Sequence, residues 1–182
     1  SLHELGGCVS QIITEGALTL TFVDKAKADK YDDWSFYRKQ FQQGCATDNK
    51  AVDLLCEFNC HAWLIEVKDY RAHARTKVVD LADEVAIKVR DTLAGLVAAS
   101  MNANDPDERT FAGKMVRAQT MRVVCHLEQP AKTSRLRPRV IEPDKLTLKL
   151  RMLLKAIDAH PIVTDYAHPD RSLPWTVSPQ RD

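Results

Sequence analysis

Apolar and polar residues alternate from Ala17 to Val23, which predicts a β-strand with Leu18, Leu20 and Phe22 on one face. Upstream, Leu2 to Thr14 has a loose helical spacing of apolar side chains, interrupted at Gly6 and Gly7. Asp24 to Asn49 mixes charges with Trp34, Phe36, Tyr37 and Phe41, and its periodicity fits either a second strand or a short helix with loops. Lys50 to Phe58 reads as a strand with Val52, Leu54, Cys56 and Phe58 on one face. Asn59-Cys60 forms a short turn, so His61 to Tyr70 is expected to pair back as a hairpin. In that run Trp63, Leu64, Ile65 and Val67 are apolar on both faces, as in a central strand covered from two sides.

The period then changes. Lys77 to Met101 predicts a long helix whose apolar stripe is Val78, Leu81, Ala82, Val85, Val89, Leu93, Leu96 and Val97. Asp80, Asp83, Glu84, Lys88 and Asp91 fall mostly off that stripe. Asn102 to Glu108, with Pro106, ends the helix. Gln119 to Leu127 is a further strand, Pro143 to Ile157 an amphipathic helix, Ile162 to Tyr166 a short strand, and the remainder a Pro-rich tail. Strands interleaved with helices predict a single-domain α/β fold: a three-layer sandwich with a central mixed β-sheet and helices on both faces.

Composition adds limits. A chain of 182 residues fits one domain with a substantial core. The 26 basic residues nearly cancel the 25 acidic ones, so any grip on nucleic acid must come from a local patch. An odd count of 5 cysteines in a chain of this size argues for reduced, mostly buried thiols and a cytoplasmic setting. No apolar stretch reaches membrane-spanning length and no signal-peptide pattern opens the chain, so no membrane partner is expected. The first residue is Ser, which fits a cleaved tag or a fragment boundary.

The chemistry concentrates near residues 53–68. Glu66 and Lys68 are two apart, so both leave the same strand face about 7 Å apart, following apolar Ala62 and Leu64. Asp53, on the preceding strand, would lie about 4.8 Å away across the pair. Two carboxylates that close repel unless a cation separates them, and an all-oxygen set suits Mg²⁺ or Mn²⁺. A neighbouring lysine can orient or help deprotonate water, or stabilise charge developing on a phosphate.

Val52-Asp53, twelve intervening residues, then Glu66-Val67-Lys68 in an apolar strand resembles the PD-(D/E)xK, restriction-endonuclease-like nucleases. The resemblance implies a restriction-endonuclease-like core over about 2–127, a helix–three strands–helix–strand order, with 128–182 as a C-terminal extension. It implies that Asp53 and Glu66 hold the metal, that Lys68 assists the attacking water, and that Glu15, expected at the end of the first helix, matches an acidic position used in some branches as a further metal ligand. Valine stands where the motif has proline before Asp53; the glutamine–tyrosine signature of the RecB-like branch and the four-cysteine pattern of the iron–sulfur branch are absent. The activity implied is metal-dependent hydrolysis of phosphodiesters, in DNA ahead of RNA, with a homodimer or larger complex as the setting. The alternative is a nuclease-like domain without catalysis that binds nucleic acid or serves assembly; a third reading is a structural protein with an ordinary Glu66–Lys68 ion pair.

Other residues carry weaker signals. Tyr70, Arg71 and His73 follow the motif and are candidates for nucleic-acid contact, with an exposed strand end and a solvated loop as the plain alternatives. Lys132, Arg135, Arg137 and Arg139 form a basic loop suited to a phosphate backbone. Cys45, Cys56, Cys60 and His61 lack the paired spacing of structural zinc sites, so buried thiols are the better reading. Trp34, Tyr37 and Phe41 are expected to pack in the core.

Overall fold

A computed structural model describes residues 11–130, 135–136 and 141–180. Eight strands and three α-helices follow in order: β1 (Ile12–Glu15), β2 (Leu18–Phe22), β3 (Lys27–Lys30), β4 (Leu54–Phe58), β5 (His61–Asp69), α1 (Leu81–Asn102), α2 (Pro106–Val116), β6 (Thr120–Glu128), α3 (Pro143–Leu154), β7 (Ile162–Thr164) and β8 (Trp175–Pro179). Between β3 and β4 the chain makes a 3₁₀ turn (Tyr31–Asp33) and a π-helical segment (Phe36–Phe41). The stretch that fitted strand or helix thus holds both.

The central sheet is mixed, with five strands in the order β3-β4-β5-β6-β7. β3, β4 and β5 form an antiparallel meander, whereas β6 runs parallel to β5 and β7 parallel to β6. The expected hairpin is present, with Leu54 opposite Ile65 and Phe58 opposite His61. Its two-residue turn puts Asn59 at φ +50° and Cys60 at φ +62°. Both central residues are left-handed, as the right-handed twist of a tight hairpin demands.

β5 is covered from both sides. Ala62 and Leu64 join the core beneath the helices, with Leu55 from β4, Val123 and Cys125 from β6, and Val85, Val89 and Leu96 from α1. Trp63 and Ile65 point the other way, into a second core with Leu20, Phe22, Cys56, Val124 and Trp175. Among the described residues that second core holds no residue of α1, α2 or α3, where helices on both faces were expected. Its cover is a separate antiparallel sheet in the order β1-β2-β8. The Pro-rich tail supplies β8, pairing Trp175 with Phe22 and Val177 with Leu20. The first predicted strand therefore packs against the central sheet instead of joining it, and the three layers are helices, mixed sheet and small sheet.

Other expectations need adjustment. Residues 2–10 of the first predicted helix lie outside the described residues, and Ile12–Glu15 form a strand. Pro106 opens a helix as well as following one: Asp105 accepts hydrogen bonds from the Asp107 and Glu108 amides, and Pro106 fills the first turn. α1 begins later than its apolar stripe suggested, because Asp80 caps it by accepting from the Ala82 amide at 2.9 Å. Val78 lies before the helix and is fully exposed. Among the described residues no helix is long and apolar enough to cross a membrane.

The hairpin turn yields a stability prediction. A β-carbon in the left-handed region is strained, and the exposed Cys60 has no buried contact to offset this. Cys60→Gly should stabilise the protein by about 0.5–1 kcal/mol, because relief of that strain outweighs glycine's extra chain entropy. Urea unfolding measures it, and an unchanged or lower midpoint contradicts the strain argument.

Candidate functional site

Asp53 sits one residue before β4, at its entry, and three elements fix it. α1 holds the preceding segment: the Lys50 amide donates to Asp91 Oδ2 at 3.0 Å and the Val52 amide to Thr92 Oγ1 at 3.0 Å. The Tyr31 amide donates to the Asp53 carbonyl at 3.0 Å. The Tyr31 ring reaches α1 at Gly95, where a β-carbon would stand 2.0 Å from the phenol oxygen, so the close approach requires glycine. On the other side, the Val67 amide of β5 donates to Asp53 Oδ2 at 2.7 Å. The carboxylate thus takes the position of a ladder carbonyl and ties the start of β4 to the end of β5.

β5 delivers Glu66 and Lys68 as the alternation required. Ala62 and Leu64 face the helices, and Glu66 and Lys68 continue that row. Glu66 is only 1% exposed. Its Oε1 lies 2.8 Å from Lys68 Nζ and 2.5 Å from Lys88 Nζ. Lys88 Nζ is also 3.8 Å from Asp53 Oδ1. Lys68 reaches Glu84 at 3.0 Å, and Glu84 in turn receives Arg75 and Lys77, each at 2.7 Å. Charges therefore alternate from Asp53 through Lys88, Glu66, Lys68 and Glu84 to Arg75 and Lys77.

Glu84 and Lys88 fall off the apolar stripe of α1 as expected, but they meet the sheet. They are four apart, hence one above the other on the same helix face, and that face meets the polar end of β5. The i, i+4 spacing of an acid and a lysine was the available signal.

Electrostatics distinguish the two acids tied to this end of β5. Burial, followed by the neighbouring Glu66 carboxylate, pushes Asp53 up to about 7, against the pull of Lys88 and the Val67 amide. Burial, followed by the charges of Asp53 and Glu15, pushes Asp32 up to about 6. Burial also penalises the Glu84 charge, but hydrogen bonds from Lys77, Arg75 and Lys68 outweigh it and bring the carboxyl down to about 2. Lys68 is desolvated, yet Glu66 and Glu84 hold its ammonium well above the ordinary lysine range.

Asp53, Glu66 and Lys68 are thus brought together, and Glu15 lies near enough for its charge to raise Asp53 and Asp32. Glu15 ends β1 instead of a helix, and its Oε2 is 2.7 Å from Lys30 Nζ. Asp32 was not foreseen. The Tyr70 hydroxyl accepts from Arg75 at 2.9 Å and its ring packs on the helix-side core. Arg71 is paired with Asp69 at 2.7 Å, while His73 and Arg135 are exposed. Arg137, Arg139 and Lys132 lie outside the described residues. Cys56 is buried and Cys45 and Cys60 are exposed, and Trp34, Tyr37 and Phe41 are core residues.

Among the described residues no group of three His, Cys, Asp or Glu side chains is arranged to hold a metal ion. A pair is enough for Mg²⁺, which takes one or two carboxylates and completes its shell with water and substrate phosphate. The donor set of Asp53 and Glu66 fits this requirement, since Glu66 Oε2 is buried without a hydrogen-bond partner. Lys88 supplies the cation between the two carboxylates in this structure.

No family model matches the chain, and no solved structure matches it. A cysteine–tRNA ligase of Neisseria meningitidis serogroup A is 31% identical over 206 aligned positions, covering 91% of this chain and 29% of the ligase. The chain therefore spans less than a third of the curated relative it matches.

The raised Asp53 carboxyl predicts a pH dependence. An unfolded aspartate loses its proton near pH 4, whereas folded Asp53 holds it to about 7. Between those values the folded state binds more protons, so stability falls as pH rises and levels off above about 7. The loss amounts to up to about 4 kcal/mol from this group, and Asp32 adds to it in the same direction. Asp53→Asn should flatten the slope of unfolding free energy between pH 4 and pH 7 and be more stable than wild type at pH 8. A slope equal to that of wild type contradicts the assignment.

Proposed function

We propose that this chain is a metal-dependent nuclease of the PD-(D/E)xK kind, hydrolysing phosphodiesters of DNA and, second, of RNA. The observation that carries the reading is the meeting of Asp53 and Glu66 with Lys68 where a core-facing strand row turns polar. Support also comes from topology: the β3-β4-β5 meander, then α1 and α2, then a parallel β6 follows the three strands–helix–strand order that the resemblance implies, with a second helix added before β6. A relative named as a ligase of cysteine and tRNA is compatible with work on nucleic acid, and adds tRNA to the substrates worth assaying.

In this reading Asp53 and Glu66 hold Mg²⁺ or Mn²⁺, with Glu66 Oε2 as the free oxygen. The bound cation supplies Lewis acidity and lowers the pKa of coordinated water. Lys68, kept protonated at neutral pH by Glu66 and Glu84, donates to the attacking water or to a phosphate oxygen and is not the base. Asp53 is the group whose proton is exchangeable near neutrality. Lys88 balances the carboxylate charge and would have to yield its place to a divalent ion held by Asp53 and Glu66. Exposed His73 and Arg135 are better placed to meet a phosphate backbone than Tyr70 or Arg71, whose polar atoms are engaged within the protein.

A second reading has its own support. The carboxylates are already neutralised by Lys88 and Lys68, which suits a catalytically silent domain that binds nucleic acid or assembles with a partner.

Incubating the chain with duplex DNA, single-stranded DNA and tRNA, with Mg²⁺ or Mn²⁺, separates the two. Metal-dependent cleavage is expected, falling at least about a hundredfold in Asp53→Ala, Glu66→Ala and Lys68→Ala. Circular dichroism checks that each variant is folded. Full activity in any folded variant, or no cleavage of any substrate, contradicts the nuclease reading, and binding without cleavage favours the silent domain.

A further inference from the structure

Two ammonium groups crowd one oxygen of Glu66. Lys68 Nζ lies 2.8 Å from its Oε1, and Lys88 Nζ lies 2.5 Å from the same atom. A single ammonium neutralises a buried carboxylate, and a second on the same oxygen is repelled by the first. The roles of the two lysines therefore need separating.

They are anchored unequally. Lys68 projects from β5 and also holds Glu84 at 3.0 Å, a carboxylate fixed further by Arg75 and Lys77 at 2.7 Å each. Lys88 projects from α1, and Glu66 is its only hydrogen-bond acceptor among the described residues. Its second carboxylate, Asp53, stands 3.8 Å off at Oδ1, beyond hydrogen-bond reach. Asp53 Oδ2 is committed to the Val67 amide at 2.7 Å, so that carboxylate stays in place whether or not Lys88 does. Lys88 can thus withdraw without disturbing the tie between β4 and β5 or the cluster around Glu84.

This end of the site also meets solvent. The side chains of Lys88 and Asp53 are 16% and 14% exposed, against 1% for Glu66. A lysine carries its ammonium on a flexible four-carbon stem, so the charge can swing out to water while the stem stays packed. A divalent cation held by Asp53 and Glu66 cannot share its place with that ammonium, because like charges in contact repel strongly where water is scarce. Occupation of the two carboxylates by Lys88 and by a metal ion is mutually exclusive.

We propose that Lys88 is a resident competitor for the divalent cation at Asp53 and Glu66, so that metal occupancy is regulated by displacement of one lysine of α1. The proposal deepens the nuclease reading and rests on its assignment of these two carboxylates as metal ligands. Either cation keeps Glu66 neutralised. Part of the free energy of metal binding is spent on expelling the ammonium, which lowers the apparent affinity by the factor that separates the two states.

The test titrates Mn²⁺ into the full chain and into Lys88→Met and Lys88→Arg by calorimetry at pH 8, with circular dichroism confirming that each is folded. Lys88→Met keeps the stem and removes the charge, so it should bind Mn²⁺ at least about tenfold more tightly than wild type. Lys88→Arg keeps the charge and should show no such gain. A second readout needs no variant: in wild type with ¹³C-labelled lysine, the Lys88 ε-CH₂ resonance should move toward that of a solvated lysine as Mg²⁺ saturates. Equal or weaker binding by folded Lys88→Met, or a Lys88 resonance unmoved at Mg²⁺ saturation, overturns the competition and leaves the metal seat standing. Binding by neither wild type nor Lys88→Met overturns the seat and the competition together. Cleavage enters none of these readouts, so a chain that binds metal without cutting nucleic acid fails the nuclease reading and not this proposal.

Discussion

A carboxylate that is 1% exposed must be neutralised where it lies, and the position of α1 against the sheet depends on how Glu66 is paired. One ammonium comes from its own strand, Lys68, and the other from the helix, Lys88. The helix must therefore present Lys88 and, one turn earlier, Glu84 to the end of β5, and this sets its rotation. The same rotation aims Asp91 and Thr92 at the amides of Lys50 and Val52, which brings Asp53 opposite Glu66. Removing one partner from a buried pair costs about 3–5 kcal/mol, whereas replacing the whole set by apolar residues is often neutral or stabilising. Packing alone therefore gives no reason to keep such a cluster, whereas the chemistry proposed for Asp53 and Glu66 would.

The central sheet separates two kinds of interior. Beneath the helices the apolar row of β5 gives way to charges, and beneath the small sheet the row continues through Trp63, Ile65 and Val67 toward a cavity lined by His126 and Trp175. Both features lie toward the carboxyl ends of the parallel strands, where open α/β sheets place their ligands. Chain beyond β6 builds the second of them: β7 extends the central sheet, and β8 closes the small one.

Alternation along residues 61–69 was enough to place Glu66 and Lys68 on one face, because a period of two leaves no freedom once Ala62 and Leu64 are buried. The hairpin followed from the two-residue Asn59-Cys60 turn, and with it the opposition of Asp53 and Glu66. Lys88 and Glu84 were hidden by a sound general rule, that charges off an apolar stripe face water; the rule fails here because the sheet beneath that part of α1 is itself charged. β8 was hidden in a Pro-rich tail, since its pairing with β2 is a contact between residues over 150 positions apart that local pattern does not encode. α2 was obscured by reading Pro106 only as a stop, although Asp105-Pro106 also has the cap and first-turn residues of a start.

The central claim is that Asp53 and Glu66 together form a seat for a divalent cation, and calorimetric titration of Mn²⁺ at pH 6 and pH 8 tests it most directly. The account predicts a single saturable site per chain that binds more tightly at pH 8, where Asp53 has lost its proton, and that disappears in Glu66→Gln. Absence of binding at millimolar Mn²⁺, or a site that survives Glu66→Gln unchanged, would contradict it.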